Sequence, residues 1–292
     1  MTALSITFKQ TKKRVSPKKV SHAMTLPVKE ETTEVPVVSA PTDQEKYMTG
    51  PLVQSKHLEH PALKHLIAAD TKLGEFISRC NRDCTILEQA KGEVNGFKSL
   101  CKSIIYQQIS GKAAATIMKR FILIYHPDAV TEDPMELEFP SPHKVLATEV
   151  EKLRGAGLSG RKVEYVKDLA SKFSDGTIDD TKLRVMDDET LSKTLCTIKG
   201  IGPWTVDMFL MFDLRRLDVL PVLDLAVRKS MSLHFGLKAP GGLSPAKRKS
   251  AFAGNTYLPT PKEMMELAEH WKPYRSIASW YMWRMTDVVI PE

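Results

Sequence analysis

The stretch "IKGIGPWTVDMFLMF" (residues 198–212) decides how the rest of this 292-residue chain is read. The residues before it, "ETLSKTLCT", have helical character, and those after Pro203 form an apolar helical run. Between them stand Gly200, Ile201, Gly202 and Pro203. A connector between helices needs only a turn closed by one glycine. Two glycines around a small apolar residue also remove the Cβ atoms that would keep another molecule away. Ile201 is expected to point inward and pin the turn. The N–H groups at the start of the following helix are unpaired, and the helix dipole there is positive, so a phosphate can dock without a side chain. Such contacts position a protein on a nucleic acid without reading its sequence. Taken alone, the hairpin fits a ligase, a nuclease, a polymerase accessory module or a glycosylase.

Outward from the hairpin the chain reads as all-α. Apolar residues recur at helical spacing in 61–79, 96–110, 111–126, 159–173, 187–197, 203–213 and 224–235. "TPKEMMELAEHW" and "PYRSIASWYMWRM" close the set, with Pro261 suited to a first turn and Pro273 separating the last two helices. No long strand alternation is present; one short edge strand or hairpin in the first half is compatible with the pattern. Residues 238–260 are rich in Gly, Pro, Lys and Arg and contain no acid, and are expected to be a mobile surface loop. Residues 1–54 are polar and proline-bearing and are expected to be disordered, with the domain occupying 55–292.

Net charge is +7, with eight Lys/Arg against five Asp/Glu in residues 1–54, so the excess is not confined to the tail. This permits nucleic-acid binding without requiring it. The tail cluster "TKKRVSPKK" suits a nuclear address, and the acid-poor start also allows a mitochondrial one. No apolar run is long enough for a membrane span. The four cysteines (Cys80, Cys84, Cys101, Cys196) make no disulfide framework, and the eight histidines make no ligand motif.

Four patches occur in one order: "SIIYQQISGKAAATI", "AGLSGRKVEYV", the run from "IKGIGPW" to "DVLPVLDLAVRKSM", and "WKPYRSIASWYMWRM". Together they resemble the helix–hairpin–helix (HhH-GPD) superfamily of DNA glycosylases, closest to the alkyl-base (3-methyladenine) branch of the yeast and bacterial inducible type. The resemblance covers about residues 60–292. It implies a two-lobed helical fold with the active-site cleft between lobes. It also implies a hydrolase acting in base-excision repair as a monomer on double-stranded DNA containing alkylated bases. A non-catalytic lesion-binding protein of the same fold is the alternative, and a helical protein-interaction module the third reading.

The resemblance places the catalytic carboxylate at Asp224. Breaking an N-glycosidic bond puts positive charge on the sugar, and a carboxylate there stabilises it or activates water. Asp224 can equally serve as an N-cap. Asp218 is expected to structure its loop, and Asp207 and Asp213 to face water or cap a helix end. Strand-cutting relatives have a lysine where this chain has Trp204, which implies a monofunctional enzyme without lyase activity. Trp204, Trp283, Met208 and Tyr106 are expected around the base pocket, where aromatic rings attract cationic bases; Trp283 read alone would be core. Met208 stands where a relative has an aromatic residue. The junction Gln107, Gln108, Ile109, Ser110 supplies the wedge that fills the gap left by the flipped nucleotide, as Gln108, Ile109 or Ser110. Lys199, Gly200, Gly202 and Thr205 are expected to touch DNA, with Arg228 and Lys229 weaker phosphate candidates. Backbone carbonyls of Cys196, Ile198 and Ile201 match positions that hold a Na+ or K+ ion when DNA is bound. No cysteine follows Cys196, so the iron–sulfur cluster of some relatives is not expected.

Overall fold

The computed structural model describes residues 58–80, 82–88, 94–238, 252–253 and 256–286. The expected disordered tail, its basic cluster and most of the expected mobile loop lie outside these residues.

The expected 61–79 helix is two helices, α1 (Pro61–Ala69) and α2 (Thr71–Arg79). Asp70 between them is extended, and its side chain accepts from the Leu73 N–H to cap α2. The next pair is α3 (Gly96–Tyr106), capped by Asn95, and α4 (Gly111–Leu123), capped by Ser110. Two short helices follow, α5 (Pro142–Ala147) and α6 (Val150–Gly155). After them come α7 (Gly160–Ser174), α8 (Asp180–Val185) and α9 (Asp188–Leu195). Helices α5, α6 and α8 are six residues each, too short for apolar periodicity to declare itself.

Across the glycine hairpin lies α10 (Pro203–Met208), which runs on into a π turn, Phe209–Asp213. Then come α11 (Leu225–His234), α12 (Pro261–Leu267), whose Thr260 and Glu263 form a reciprocal capping box, and α13 (Arg275–Met285). The only sheet among the described residues is a hairpin of β1 (Phe252–Ala253) with β2 (Thr256–Tyr257). It falls inside the segment expected to be a mobile loop, not in the first half of the chain. Its exit is packed, since Tyr257, Leu258 and Pro259 are buried.

The helices form two groups. Helix α13 packs on α2 and α11, so the first group joins the start and the end of the described chain. The second is built on α3, which packs on α4, α7, α8 and the π turn, while α5 lies on α7. Helix α13 is buried on all sides, including Trp280, Tyr281, Met282 and Trp283, as a central helix must be. Helix α10 belongs to the second group and α11 to the first, and the loop 214–223 joins them. That seam holds the candidate site.

Candidate active site

The loop leading to Asp224 is held by the start of α13. Asp218 receives Arg275 Nε on Oδ1 at 2.6 Å and Arg275 Nη2 on Oδ2 at 3.0 Å, a two-point pairing that fixes the loop. Ser276 Oγ donates to the Arg216 carbonyl at 2.7 Å and accepts from the Val219 N–H at 2.9 Å. Asp218 therefore has the structural role expected of it. The Asp224 N–H donates to the Pro221 carbonyl at 2.9 Å, which delivers residue 224 to the first turn of α11.

Asp224 caps α11 and does more. Its Oδ1 accepts from the Val227 N–H and from Trp283 Nε1, both at 2.9 Å. Its Oδ2 accepts from Trp204 Nε1 at 2.8 Å. Three donors from three elements fix the plane of the carboxylate. They leave Oδ2 with an unused lone pair. Capping and chemistry are thus served by the same side chain.

The two tryptophans differ. Trp204 is 45% exposed, with its ring open to an incoming molecule. Trp283 is only 4% exposed and lies 5.8 Å from the Phe212 ring, centroid to centroid. It is a core residue whose polar edge reaches the site, not a wall on which a base could stack. Met208 and Tyr106 are half-buried, and Lys102 Nζ sits 5.6 Å from the Tyr106 ring centre.

The hairpin glycines serve opposite ends. Gly200 has φ +82°, and a Cβ there would lie 2.2 Å from Tyr165 Cδ2, so the missing side chain admits the Tyr165 ring of α7. Gly202 is extended, caps α10, and would direct a Cβ into open space. Only Gly202 leaves the bare surface that close approach of a second molecule needs. Ile201 is buried, as expected, and the Ile201 N–H donates to the Ile198 carbonyl at 3.1 Å. Lys199 is exposed, with its N–H bonded to Asp168 at 2.9 Å.

Other candidates are committed internally. Gln107 Nε2 donates to the Gly200 carbonyl at 2.8 Å, tying the α3–α4 junction to the hairpin. Lys162 Nζ donates to the Ile105 and Gln107 carbonyls at 2.6 and 2.7 Å and closes α3. Ser110 caps α4 through Oγ. Gln108 is exposed at φ +58°, and Ile109 beside it is 39% exposed. Thr205 is buried, because the third position of α10 turns toward the core. Arg228 donates through Nε and Nη2 to the Pro259 carbonyl, bracing the strand exit. Lys229 is half-buried.

Asp207 and Asp213 are less open to water than expected. Both are half-buried. Burial, with the facing Asp224 carboxylate second, pushes Asp207 up to about 7. Burial also raises Asp213, against a hydrogen bond with Ser99. Tyr165, Lys162 and Arg275 are site residues that the sequence does not single out, and Asp207 stands out in it only as a surface or capping carboxylate. For Asp207 a signal exists: it lies three positions after Trp204 and so on the same helix face. The other three act across long separations and leave no local trace.

Among the described residues, no group of three or more His, Cys, Asp or Glu side chains could hold a metal ion. The four cysteines are free thiols. No described helix is long and apolar enough to cross a membrane.

Residues 101–253, more than half of the chain, match the model of the HhH-GPD superfamily base excision DNA repair proteins. A putative DNA-3-methyladenine glycosylase of Bacillus subtilis is 32% identical over 191 residues, which is 65% of this chain and 59% of that one. An alkylbase DNA glycosidase-like protein of Schizosaccharomyces pombe is 27% identical over 77% of this chain and 92% of its own. The solved 3-methyladenine DNA glycosylase of S. pombe, in complex with abasic DNA, superposes with a TM-score of 0.56 at 26% identity, covering 78% of this chain and 97% of that one. The chain belongs to the HhH-GPD superfamily of base excision DNA repair proteins.

Proposed function

We propose that this protein is a monofunctional DNA glycosylase that hydrolyses the N-glycosidic bond of alkylated purines turned out of double-stranded DNA. The observation that carries the reading is the Asp224 carboxylate, oriented by Trp204, Trp283 and the Val227 N–H beside an open glycine-capped helix start. The relatives' names support the substrate class.

DNA docks its phosphate on the bare backbone at Gly202 and the first turn of α10, with Lys199 in reach. The carbonyls of Cys196, Ile198 and Ile201 would hold a monovalent cation there. These oxygens suit such an ion, since the Ile198 carbonyl keeps a second lone pair after accepting from Ile201. Ile109 fills the gap left by the extruded nucleotide. Of the three wedge candidates it is the exposed apolar one, and the Ser110 hydroxyl is already spent on its helix cap. The cationic base meets the open ring of Trp204. As the bond to the base stretches, the Asp224 carboxylate faces the growing charge on the sugar. The remaining lone pair on Oδ2 then orients water toward C1′.

Position 204 supplies an indole and not an amine, so no Schiff base forms with the sugar there. The test is a duplex with one 7-methylguanine, run on a denaturing gel after incubation. Base release with an intact strand, nicked only on alkali treatment, is expected. Nicking without alkali, or an adduct trapped by borohydride, would overturn the monofunctional reading; tight binding without base release would favour a lesion-binding protein of the same fold. The import address of the tail, read from "TKKRVSPKK", is proposed as nuclear.

A further inference from the structure

Most carboxylates around the site have protein partners. Asp218 has Arg275, Asp168 has the Lys199 N–H, Asp213 interacts with Ser99, and Asp224 has three donors. Asp207 has no hydrogen bond or ion pair with any described residue, although it is half-buried. It lies one turn after Trp204 on α10, close enough to Asp224 at the start of α11 for that carboxylate's charge to act on it. A half-buried carboxyl facing a second carboxylate without a cation favours the protonated form. Its O–H is then a donor with no protein acceptor, on the helix face that carries Trp204.

We propose that Asp207 is the acid that protonates the base as it leaves, and that it opens the site to damaged purines that carry no positive charge. The inference rests on the glycosylase reading of the same site. A cationic N-alkylated purine departs as a neutral molecule and needs no proton. A neutral purine would depart as an anion unless one of its ring nitrogens is protonated. The proton moves from the Asp207 carboxyl to that nitrogen, and the C1′–N9 bond breaks with its electron pair going to the base. Asp224 faces the cationic sugar, water adds through oxygen to C1′, and the proton it releases returns to Asp207. Atoms and charge balance, and the enzyme is restored. Two carboxyl groups in unlike surroundings thereby divide acid work from charge stabilisation. Titration near 7 suits Asp207 to the acid part at neutral pH.

The experiment measures single-turnover release from two duplexes, one with 7-methylguanine and one with the neutral purine hypoxanthine. Wild type and Asp207→Asn are compared from pH 5.5 to 8.5. The readout is the ratio of the hypoxanthine rate to the 7-methylguanine rate, which cancels any loss of folded enzyme. The ratio is expected to fall by about 100-fold or more in the variant, the size of a general-acid contribution. In wild type the ratio should decline above pH 7, and Asp207→Glu should restore part of it. An unchanged ratio, or wild type that releases 7-methylguanine but no hypoxanthine at any pH, would overturn the role of Asp207 alone. Wild type that releases neither base would overturn the glycosylase reading with it.

Discussion

Asp224 draws its orientation from residues that lie 20 and 59 positions away, Trp204 and Trp283. The Trp283 N–H is the buried one, so its loss cannot be made good by water. Trp283→Phe keeps the ring in the core and removes the donor. Base release is expected to slow about tenfold, equivalent to a hydrogen bond of about 1–1.5 kcal/mol, with DNA affinity unchanged. A variant as fast as wild type would show that the indole edge contributes packing only. Asp207 also affects stability. Its folded-state pKa is raised to about 7, so between about pH 4 and 7 the folded protein binds more protons than the unfolded chain. Stability therefore falls as pH rises through that window. Asp207→Asn should unfold in urea like wild type near pH 4 and be more stable at pH 8 by about 1–2 kcal/mol, discounted for its partial exposure. Asp224 stands out in the sequence because it lies in the third of four ordered patches, just after the glycine hairpin. Trp283 read alone points to the core, and it is buried; that its polar edge reaches Asp224 is not legible, because a single tryptophan carries no sign of whether its ring or its edge is used.

At the scale of elements the glycine hairpin separates two causes that look alike in sequence. Gly200→Ala places a Cβ on the Tyr165 ring and forces a side chain at positive φ, and should lower stability by about 2–3 kcal/mol. Gly202→Ala meets nothing within 4 Å and its backbone is extended, so the folded protein should lose only the small N-cap preference for glycine over alanine, on the order of 0.5 kcal/mol. Its main cost should fall on duplex binding, with at least a tenfold rise in Kd at fixed salt. Thermal unfolding and fluorescence anisotropy on both variants check the pair; equal effects of the two on binding would remove the contact assigned to Gly202. The sequence marks both as breaks in helical pattern. It does not say which neighbour fills the space at Gly200, since Tyr165 stands on another helix. The short helices α5, α6 and α8 escaped for a related reason: one apolar anchor each (Val145, Leu153, Leu183) makes no period.

For the whole molecule the order of long amphipathic helices, and hence the all-α fold, was readable from apolar spacing. The join between the early and late helices of the described residues was not. It is made at Asp70, whose Oδ2 accepts from His234 Nε2 at 2.7 Å and Trp271 Nε1 at 2.9 Å. Lys72 closes the same end of α11 by donating to the His234 carbonyl at 2.8 Å. Burial pushes the Asp70 carboxyl up, but hydrogen bonds from His234, the Leu73 N–H and Trp271 outweigh it and hold it well below the usual carboxylate range. A depressed folded-state pKa gives stability that is present above about pH 4 and lost as pH falls below it. Asp70→Asn should cost about 3 kcal/mol at pH 7, the price of breaking a buried charged network, and the gap to wild type should narrow toward pH 2. A urea midpoint difference independent of pH would contradict that assignment.

The chemistry proposed for the site rests on the Asp224 carboxylate. The most direct measurement is single-turnover release of 7-methylguanine from duplex DNA by wild type and Asp224→Asn, with duplex affinity measured on the same preparations. The variant keeps the shape of the side chain and, on its one remaining oxygen, the cap and the Trp283 contact; it removes the charge and the acceptor for Trp204. Release should fall by at least about 100-fold, the scale of losing an electrostatic group aimed at the transition state, while the duplex is still bound. A variant that binds DNA and releases the base at the wild-type rate would contradict the account.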